Sequence, residues 1–575
     1  MSAPAQNLGL MLLDSCAKHA DRIAMLVPEG KSFREVTYRE LLEIVKGYAA
    51  ALQGMGVTRG SKLCLQSESC AEWAYVDWAC QTLGVVVVPI YPTLPKDQTQ
   101  FIVQDSGANW VVGGSPDQLA KSSGLTGVNS ILLKGDEGSL ASRANGAKLA
   151  DEGKWREGMA GISRDDVATI IYTSGTTGNP KGAMIPHRAA TMIVDGVPKY
   201  LPFGPTDRFL SFLPISHVFE RVAGQFLPIG CGASIAYAKS LATLANDMVS
   251  TQPTIILCVP RFLEATRDRI MDAANKYPAV RKKLFFLALS QGIKRAKGGF
   301  APLAGVLDKL VGAKVRERMG GKIRFLVSGG AALPPHVAEF YMAFRLNVLQ
   351  GYGLTETTAA SCVNHPDRNK YWTVGEPLPG VEVKIAEDGE ICIRGESVML
   401  GYYNLAQQTN EAIDSEGWFH TGDIGEWESG NLKITDRKKD LLILANGKNV
   451  APQPIENKLK ESPFIQEAVL FGDGAEFVYG VIIPNFERAR KQLSSQGETL
   501  PESDEELART EALRSLIKEE VAQVNKTLAD FEKVKKHEVV AAQFSVETGE
   551  LTPSLKIKRK VVREKLSDAL KRMQA

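Results

Sequence analysis

The sequence contains only eight cysteines among 575 residues, and no two of them are spaced as a CxxC pair. So few thiols without a framework argue against a disulfide-bonded secreted protein and suit a reducing cytoplasm. Free cysteines are usually buried in protein cores, and we expect the same here. The eight are Cys16, Cys64, Cys70, Cys80, Cys231, Cys258, Cys362 and Cys392.

Long apolar runs and an excess of one charge are missing as well. The densest apolar run, residues 85–90, is far below the ~18 residues that a membrane-spanning helix needs. The beginning, MSAPAQNLGLMLLDSC, has no basic start followed by an apolar block, so we expect no secretory signal. The net charge of +2 predicts no strong attraction to nucleic acid. We therefore expect a cytoplasmic protein whose membrane contact is limited to the periphery of the inner face.

The sequence does contain alternating helical and strand-like patterns. Residues 37–57 place apolar side chains on one helical face, and residues 84–92 form a short apolar run typical of a buried strand. Further strand-like runs lie at 61–66, 108–114, 168–171, 254–260 and 322–330. This alternation predicts an α/β architecture of layers with a largely parallel sheet.

The length and two changes of pattern predict more than one domain, because single cores stop growing near ~250–300 residues. Short alternating runs around a D-G turn predict a small β-rich subdomain at 380–434. From about residue 440 the pattern is that of a small α+β unit, with a charged helix at 503–530. We predict a large N-terminal domain at 1–436 and a small, mobile C-terminal domain at 437–575.

The most informative segment is YTSGTTGNPKG, residues 172–182, directly after the apolar strand 168–171. Glycines let successive backbone N–H groups point at one anion, and hydroxyls and a lysine add donors suited to phosphate. The common P-loop pattern requires Gly-Lys followed by Ser or Thr, so a GTPase-type site is disfavoured. The residues predicted to hold phosphate are Thr173, Ser174, Gly175, Thr176, Thr177, Gly178 and Lys181.

This segment resembles the phosphate loop of the adenylate-forming superfamily, which includes acyl-CoA synthetases, peptide-synthetase adenylation domains and luciferases. Further signatures follow in the same order, so the resemblance spans nearly the whole chain. They are SGGAAL (328–333), QGYGLTET (350–357), GWFHTGD (417–423), DRKKD (436–440) and LKIKR (555–559). The resemblance implies an enzyme that uses ATP to activate a carboxylic acid as an acyl-adenylate and then transfers the acyl group to coenzyme A.

The resemblance also assigns nucleotide-binding roles. It implies that Glu356 and Thr173 hold Mg²⁺, a cation that prefers hard oxygen ligands and phosphates. Thr355 would contact the α-phosphate, and Tyr352 would stack on the adenine. Asp423 and Arg437 would bind the ribose hydroxyls. The remaining nucleotide-binding positions are Gly329, Ala331, Gln350, Gly351 and Gly353.

For catalysis, the resemblance points to a lysine near the end of the chain. Many members have Gly before this lysine, whereas here Leu555 precedes Lys556, and Lys558 is a second candidate. The Lys-x-x-Arg spacing to Arg559 favours Lys556. A cation there would stabilise negative charge on the α-phosphate during attack.

The second half-reaction requires that lysine to leave, so that a thiol can approach. By resemblance, Lys439 matches the hinge about which the small domain swings. Gly447, in the ANGKN loop, would let the backbone approach the pantetheine channel of coenzyme A.

The acid is identified by a weaker likeness. Residues 212–235, 254–264 and the insert 265–321 resemble long-chain acyl-CoA synthetases, and His217 resembles the residue at the carboxylate end of their acyl tunnel. A fatty chain suits an apolar tunnel, because each buried methylene contributes about 0.8 kcal/mol. Residues 281–297 hold six basic residues and no acidic one, which fits either a packed helix with a solvated face or a helix on an anionic membrane surface.

Three alternatives remain at this stage. The protein could be a fatty acyl-AMP ligase that loads an acyl-carrier protein, or a ligase for medium-chain or other carboxylic acids. It could also be a lipid-binding or membrane-surface protein that keeps an inactive synthetase fold. The number of intact motif residues argues against the last one.

Overall fold

The structure is a computed structural model of the chain and describes residues 5–173, 180–545, 548–551 and 557–574. The chain divides into two compact units. The first comprises Met1–Lys384, Cys392–Thr421 and Glu428–Leu432, and the second comprises Ile385–Ile391, Gly422–Trp427 and Lys433–Ala575. The predicted domain boundary between residues 436 and 437 remains a prediction.

The strands are numbered in chain order. They are β1 Ile23–Glu29, β2 Ser32–Thr37, β3 Lys62–Gln66, β4 Val86–Ile90, β5 Trp110–Gly113, β6 Asn129–Leu132, β7 Val167–Thr173, β8 Lys181–Pro186, β9 Arg208–Ser211, β10 Ser234–Tyr237, β11 Ile255–Cys258, β12 Phe325–Ser328, β13 Asn347–Tyr352, β14 Cys362–Val363, β15 Glu376–Pro377, β16 Val381–Ile385, β17 Glu390–Gly395, β18 Phe419–Glu428, β19 Asn431–Arg437, β20 Leu442–Ile443, β21 Asn449–Val450, β22 Ile465–Phe471, β23 Val478–Pro484 and β24 Val534–Val539.

The α-helices are numbered α1 to α22 in the order given next. They are Leu8–Lys18, Tyr38–Gly54, Ala71–Leu83, Lys96–Ser106, Pro116–Lys121, Leu140–Ala144, Glu152–Ala160, His187–Tyr200, Leu227–Gly230, Leu244–Thr251, Pro260–Asn275, Ala279–Ala296, Ala304–Leu307, Ala313–Arg318, Pro335–Ala343, Ala406–Ala412, Pro452–Leu459, Phe486–Ser495, Asp504–Leu507, Glu511–Asn525, Arg559–Lys565 and Ser567–Gln574. Two π-helical segments, Phe219–Phe226 and Asp308–Gly312, and two 3₁₀ turns, Thr355–Thr357 and Pro366–Arg368, complete the description.

Two sheets organise the first unit within the described ranges. One has the strand order β15-β14-β13-β12-β11-β9-β10-β1-β2, and the other has the order β6-β5-β3-β4-β7-β8. The pairs from β1 through β10, β9, β11 and β12 to β13 are all parallel. Every residue of β4, β11 and β12 is buried, as expected for parallel strands covered by helices on both faces. The α/β prediction is therefore confirmed.

In the second unit, β22, β23 and β24 form a sheet of their own, and β20 pairs with β21. Strands β16 to β19 form a four-stranded sheet in sequential order, and the β-rich subdomain at 380–434 remains a prediction. The predicted helix at 503–530 is wrong in its extent, since the segment forms α19 and α20 instead. Each has its own N-cap, because Ser503 accepts a hydrogen bond from the Glu506 N–H and Thr510 accepts one from the Leu513 N–H.

No helix among the described residues is both long enough and apolar enough to cross a bilayer. Six of the eight cysteines are buried, and Cys70 and Cys231 are half-buried. This agrees with the expectation that they serve as core residues.

Candidate active site

The predicted phosphate loop connects two antiparallel strands of the six-stranded sheet. Strand β7 ends at Thr173 and β8 begins at Lys181, and these two residues are paired across the hairpin. The Thr173 hydroxyl donates a hydrogen bond of 3.4 Å to the Lys181 carbonyl. Between them, Ser174, Gly175, Thr176, Thr177 and Gly178 lie outside the described residues. The structure thus places the two ends of the predicted loop side by side.

A segment from far along the chain runs beside β8. The Met184 N–H donates to the Gly401 carbonyl at 3.0 Å, and the Tyr403 N–H donates to the Gly182 carbonyl at 2.7 Å. Residues 399–403 therefore extend the sheet locally along the strand that carries Lys181. We call these residues the 399–403 segment.

The 399–403 segment also holds the predicted magnesium ligand. The Met399 N–H donates to the carbonyl of Glu356 at 2.8 Å. The Tyr402 hydroxyl lies 2.9 Å from Oε1 of the same Glu356. Burial and the neighbouring carboxylate raise the pKa of Tyr402, so its phenol is the donor in this bond. Glu356 is thus held through both its backbone and its side chain.

Tyr402 contacts the predicted phosphate lysine as well. The Lys181 Nζ lies 5.1 Å from the centroid of the Tyr402 ring, within the range of a cation–π contact. One buried tyrosine, 9% exposed, therefore touches both a carboxylate and an ammonium group beside the phosphate loop. Tyr402 was not among the residues predicted from the sequence.

The SGGAAL and QGYGLTET motifs meet at one edge of the nine-stranded sheet. Strands β12 and β13 are parallel neighbours, with Ser328 paired to Gln350. The carboxyl ends of these strands carry Gly329 and Ala331 on one side and Tyr352 on the other. Ligands of open α/β sheets bind at this kind of edge. The structure therefore brings together the residues predicted to surround the adenine.

Three of the predicted nucleotide-binding residues have structural contacts of their own. The Gln350 side chain accepts a hydrogen bond from the Leu333 N–H at 3.1 Å, which fixes the SGGAAL loop against β13. A Cβ on Gly353 would lie 2.3 Å from the Ala359 carbonyl oxygen, so a side chain there would not fit. Gly351 pairs with Val363 within the sheet. Their ligand roles stay predictions, as do those of Thr355 and Tyr352.

His217 lies close to this edge through its neighbour Phe219. The His217 Nδ1 accepts a hydrogen bond of 3.1 Å from the Phe219 N–H. The Phe219 ring would lie 3.1 Å from a Cβ on Gly329, so the ring packs directly against the SGGAAL loop. Tyr91 approaches the imidazole edge-on, with 6.5 Å between ring centroids. The predicted acyl-site histidine and the predicted adenine loop are thus neighbours.

In the second unit, the two residues predicted to bind ribose contact each other. The Arg437 Nε lies 3.0 Å from Oδ1 of Asp423, which is only 4% exposed. The adjacent Asp436 accepts hydrogen bonds from the N–H groups of Arg437 and Gln453, and burial raises its pKa to about 6. The aspartate and arginine therefore come as a preformed pair.

The predicted coenzyme A loop is a tight hairpin between β20 and β21. Gly447 has a φ of 77°, a left-handed conformation that favours glycine, and a Cβ added to it would meet no atom within 4 Å. The Gly447 N–H donates to the Leu444 carbonyl at 2.8 Å. A glycine is thus required here by the backbone, and the space around it is open within the described residues.

The predicted catalytic Lys556 lies outside the described residues. The structure does describe Arg559, whose spacing favoured Lys556 over Lys558. Its Nη1 lies 2.6 Å from both the Glu456 carboxylate and the Leu470 carbonyl. Arg559 therefore anchors the segment that follows Lys556 to the core of the second unit.

Comparisons with known proteins match this arrangement over almost the full chain. The family model for AMP-binding enzymes matches residues 12–403, and the model for the C-terminal domain of AMP-binding enzymes matches residues 439–574. The chain belongs to the family of AMP-binding enzymes.

Among its relatives, this AMP-binding enzyme is 33% identical to the long-chain-fatty-acid–CoA ligase FadD15 of Mycobacterium bovis, over 93% of this chain and 91% of the relative. It is 32% identical to the peroxisomal long chain acyl-CoA synthetase 7 of Arabidopsis thaliana, over 94% of this chain and 81% of the relative. Its fold resembles that of the O-succinylbenzoate coenzyme A synthetase MenE from Bacillus subtilis in complex with AMP. That likeness has a TM-score of 0.71 at 22% identity and covers 97% of this chain and 98% of that one.

The described residues of this AMP-binding enzyme fit Mg²⁺ only if the nucleotide supplies further ligands to the ion. No group of three or more His, Cys, Asp or Glu side chains among them could hold a metal ion by itself. Glu356 presents a single carboxylate whose Oε1 accepts the Tyr402 hydroxyl. Mg²⁺ is commonly bound by one or two carboxylates together with substrate phosphates, which is the arrangement that fits here.

Two buried polar groups near the site were missed by sequence reasoning. Glu220, in the π-helix after His217, accepts hydrogen bonds from Ser211 at 2.6 Å and from Gln225 at 3.2 Å. Its Oε2 has no hydrogen-bond partner within the described part of the chain, and burial raises its pKa to about 7. No periodicity in the sequence distinguishes a buried carboxyl of this kind from a solvated one. The only sequence signal for its burial was its position within an apolar run.

The second missed group is a buried ion pair. Both side chains, Arg221 and Asp77, are almost fully buried, with 0% and 2% of their side-chain surface exposed. Arg221 donates two hydrogen bonds to the carboxylate and one, from Nη1, to the Thr169 hydroxyl on β7. The pair therefore connects α3, the π-helix and the strand that leads into the phosphate loop.

Proposed function

We propose that this AMP-binding enzyme activates long-chain fatty acids as acyl-AMP and transfers the acyl group to coenzyme A. The contact of Tyr402 with both Glu356 and Lys181 is the structural observation that supports the adenylation step. Through this contact the Lys181 ammonium, suited to phosphate, and the Glu356 carboxylate, suited to Mg²⁺, lie near each other beside the predicted phosphate loop. The relatives named as long-chain fatty acid ligases, at about 30% identity over nearly the whole chain, support the substrate class.

In the first half-reaction, a carboxylate oxygen of the acid attacks the α-phosphorus of ATP, and pyrophosphate leaves. Both reactants are anions, so the protein must neutralise charge and align the attack. Lys181 and the hydroxyls of the phosphate loop bind the β- and γ-phosphates, and Thr355 contacts the α-phosphate. Lys556 balances the negative charge that develops on the α-phosphate.

Glu356 and Thr173 would hold Mg²⁺ together with the phosphates of ATP, and the ion would supply further charge neutralisation. Tyr402 keeps the Glu356 carboxylate oriented by donating a hydrogen bond to its Oε1. Tyr352, Gly329 and Ala331 surround the adenine. Asp423 accepts hydrogen bonds from the ribose hydroxyls, oriented by Arg437.

In the second half-reaction, the sulfur of coenzyme A attacks the acyl carbonyl carbon, and AMP leaves with the bridging oxygen. The open turn at Gly447 is the proposed path for pantetheine, and Lys439 is the proposed hinge position. His217 marks the carboxylate end of the acyl site. A reducing cytoplasm remains the proposed location, supported by the eight free thiols.

The decisive experiment measures thioester formation with acids of two to twenty carbons, offering either free coenzyme A or an acyl-carrier protein. We expect kcat/KM with coenzyme A to rise as the chain lengthens, by up to about fourfold per methylene while the tunnel accepts more carbons. Acyl transfer to the carrier protein alone would overturn the proposed acceptor. A maximum at four to eight carbons would overturn the proposed substrate class.

The assignment of the catalytic lysine is tested separately, with Lys558→Ala as the matched control for Lys556→Ala. Loss of the Lys556 amine should abolish most acid-dependent ATP–pyrophosphate exchange. It should leave thioester formation from supplied acyl-AMP largely intact. Equal damage to both half-reactions, or a larger loss in the Lys558 variant, would refute the assignment.

A further inference from the structure

Exposed apolar side chains are concentrated in one short stretch of the first unit. Of the twelve large apolar side chains that are exposed in the described chain, six fall within residues 280–310. The six are Val280 (84% exposed), Leu287 (39%), Phe300 (80%), Leu303 (49%), Val306 (61%) and Leu310 (51%). Exposed apolar residues scattered singly are normal, but a dense group indicates an interaction surface. We call residues 280–310 the 280–310 surface.

The helices beneath this surface are firmly packed, so the exposure is built into the fold. Helix α12 buries Phe285 and Ala288 in the core of the first unit. A Cβ on Gly292 would lie 2.4 Å from the Ala343 carbonyl oxygen, which shows how closely α12 approaches α15. Helix α13 lies against α12 and buries Leu307.

The apolar residues outside the core share one face of the second helical segment. Leu303 directly precedes α13, Val306 lies in it and Leu310 lies in the π-helical segment that follows. Their spacing of three and four residues places them together on the outer side. Phe300 projects from the loop between α12 and α13. The loop and the outer helical face therefore form a continuous apolar ridge with an aromatic side chain at its turn.

Almost all the exposed charge on this surface is positive, because its single carboxylate, Asp308, is only 9% exposed and pairs with Arg316 and Arg345. From residue 273 to residue 307 the sequence has seven Lys and Arg and no Asp or Glu. Exposed Lys283, Lys294 and Lys309 form no ion pair with any carboxylate of the described chain, whereas Lys297 pairs with Glu339 at 2.8 Å. Lys283, Leu287 and Lys294 share one face of α12. Lysines thus flank the apolar ridge, the pattern of a helix that lies at a membrane interface.

We infer that the 280–310 surface docks onto a bilayer that contains anionic lipid. Phe300, Leu303 and Val306 enter the headgroup region, and the unpaired lysines contact the lipid phosphates and carboxylates. A symmetric contact between two copies of the chain is disfavoured, because it would place this basic surface against itself. The benefit for catalysis rests on the proposed function, since long-chain acids dissolve in bilayers, but the docking itself does not.

The test is co-sedimentation of the full-length protein with vesicles, without ATP, acid or coenzyme A. Vesicles of phosphatidylcholine with about one third phosphatidylserine are compared with pure phosphatidylcholine; the anionic lipid supplies the surface potential that attracts lysines. We expect clear binding only to the anionic vesicles. Absence of binding to both kinds of vesicle would overturn the inference.

Two triple variants separate charge from insertion. Lys283→Gln with Lys294→Gln and Lys309→Gln should weaken anionic binding roughly 100-fold, at about fivefold per lysine. Phe300→Ser with Leu303→Ser and Val306→Ser should weaken it at least about tenfold while raising solubility. Because these side chains are exposed, neither triple variant should lower the unfolding midpoint.

The matched control is Leu241→Ser with Val249→Ser, which removes two exposed apolar side chains of the same unit, 71% and 51% exposed, outside the surface. Parent-like binding of the control and loss in both triple variants would support docking through residues 280–310. Parent-like binding of the serine triple variant, or its conversion from a dimer to a monomer in size-exclusion chromatography, would overturn it. A failure of thioester formation would refute the proposed function and would leave these vesicle results unchanged.

Discussion

Replacement of Tyr402 by phenylalanine isolates the hydroxyl that holds the proposed magnesium ligand. The substitution removes one oxygen atom and keeps the ring that contacts Lys181. The lost bond is 2.9 Å long and ends on a carboxylate. The hydroxyl belongs to a residue that is 9% exposed, so water has little access to replace it.

The size of the effect follows from the charge of the acceptor. Hydrogen bonds to charged groups contribute about 1.5–3 kcal/mol, which corresponds to roughly 10- to 100-fold in an equilibrium or a rate. Without the donor, the Glu356 carboxylate is free to leave the orientation that binds the ion. We therefore expect Tyr402→Phe to slow adenylation roughly 10- to 100-fold and to raise the free Mg²⁺ concentration required for half-maximal activity.

The assay is acid-dependent ATP–pyrophosphate exchange, titrated with free Mg²⁺ at saturating ATP. Tyr403→Phe is the matched control, because the neighbouring hydroxyl accepts a hydrogen bond from Lys62 and does not contact Glu356. Tyr402→Leu removes the ring as well, and the lost cation–π contact with Lys181 should slow the exchange further. If Tyr402→Phe and Tyr403→Phe show the same Mg²⁺ dependence as the parent, the hydroxyl has no part in metal binding.

The other predictions concern stability and the second half-reaction. Burial raises the pKa of Glu220 to about 7 from 4.5, so the native state binds a proton that the unfolded chain has lost between these pH values. The free energy of unfolding should therefore fall by about 3 kcal/mol as pH rises through that window. The urea midpoint of Glu220→Gln should exceed that of the parent by more at pH 8 than at pH 5. An equal difference at both pH values would contradict the raised pKa. Arg221→Met should lower the free energy of unfolding by about 3–5 kcal/mol, because it leaves Asp77 buried without its partner. Adding Asp77→Leu should recover part of that loss in the same denaturation assay. Additive losses from the two substitutions would argue against the ion pair. Thr510→Ala should lower the free energy of unfolding by about 1 kcal/mol, because α20 loses its N-cap, and the urea midpoint should fall. An unchanged midpoint would mean that the cap contributes nothing to stability. Gly447→Ala should slow thioester formation while leaving pyrophosphate exchange intact, and equal loss of both would remove this turn from the coenzyme A path.

Much of the fold could be predicted because parallel strands have a simple sequence pattern. Covered on both faces, β4 and β11 appear as short uninterrupted apolar runs, and they lie within the predicted ranges 84–92 and 254–260. The phosphate loop is predicted for a chemical reason, since few structures other than an anion site require so many glycines and hydroxyls after a buried strand, and its role stays a prediction. Asp423 and Arg437 were selected only through motifs, since neither residue alone has a pattern, and their ribose-binding role stays a prediction.

Other features depend on contacts that no local pattern reveals. Tyr402 meets Lys181 across more than two hundred residues, and its sequence neighbours suggest only a turn. The π-helix at Phe219–Phe226 departs from the helical period, so the burial of Glu220 could not be deduced from spacing. The basic helix at 281–297 was visible in the sequence, but the exposure of Phe300 depends on what covers it in three dimensions.

The extent of helices near capping residues was also hard to predict. The charged pattern from 503 to 530 is continuous, yet the chain forms two helices because Thr510 caps the second one. A single hydroxyl that accepts from the Leu513 N–H determines where that helix begins. Charge patterns carry no information about such a break.

The central claim is that the acid is activated through a bond between its carboxylate oxygen and the α-phosphorus of ATP. The most direct test uses a long-chain fatty acid labelled with ¹⁸O in both carboxylate oxygens, together with ATP, Mg²⁺ and coenzyme A, followed by mass spectrometry of the products. We predict one ¹⁸O in each molecule of AMP formed and none in pyrophosphate. Label in orthophosphate with ADP as the other product, or unlabelled AMP, would contradict the claim.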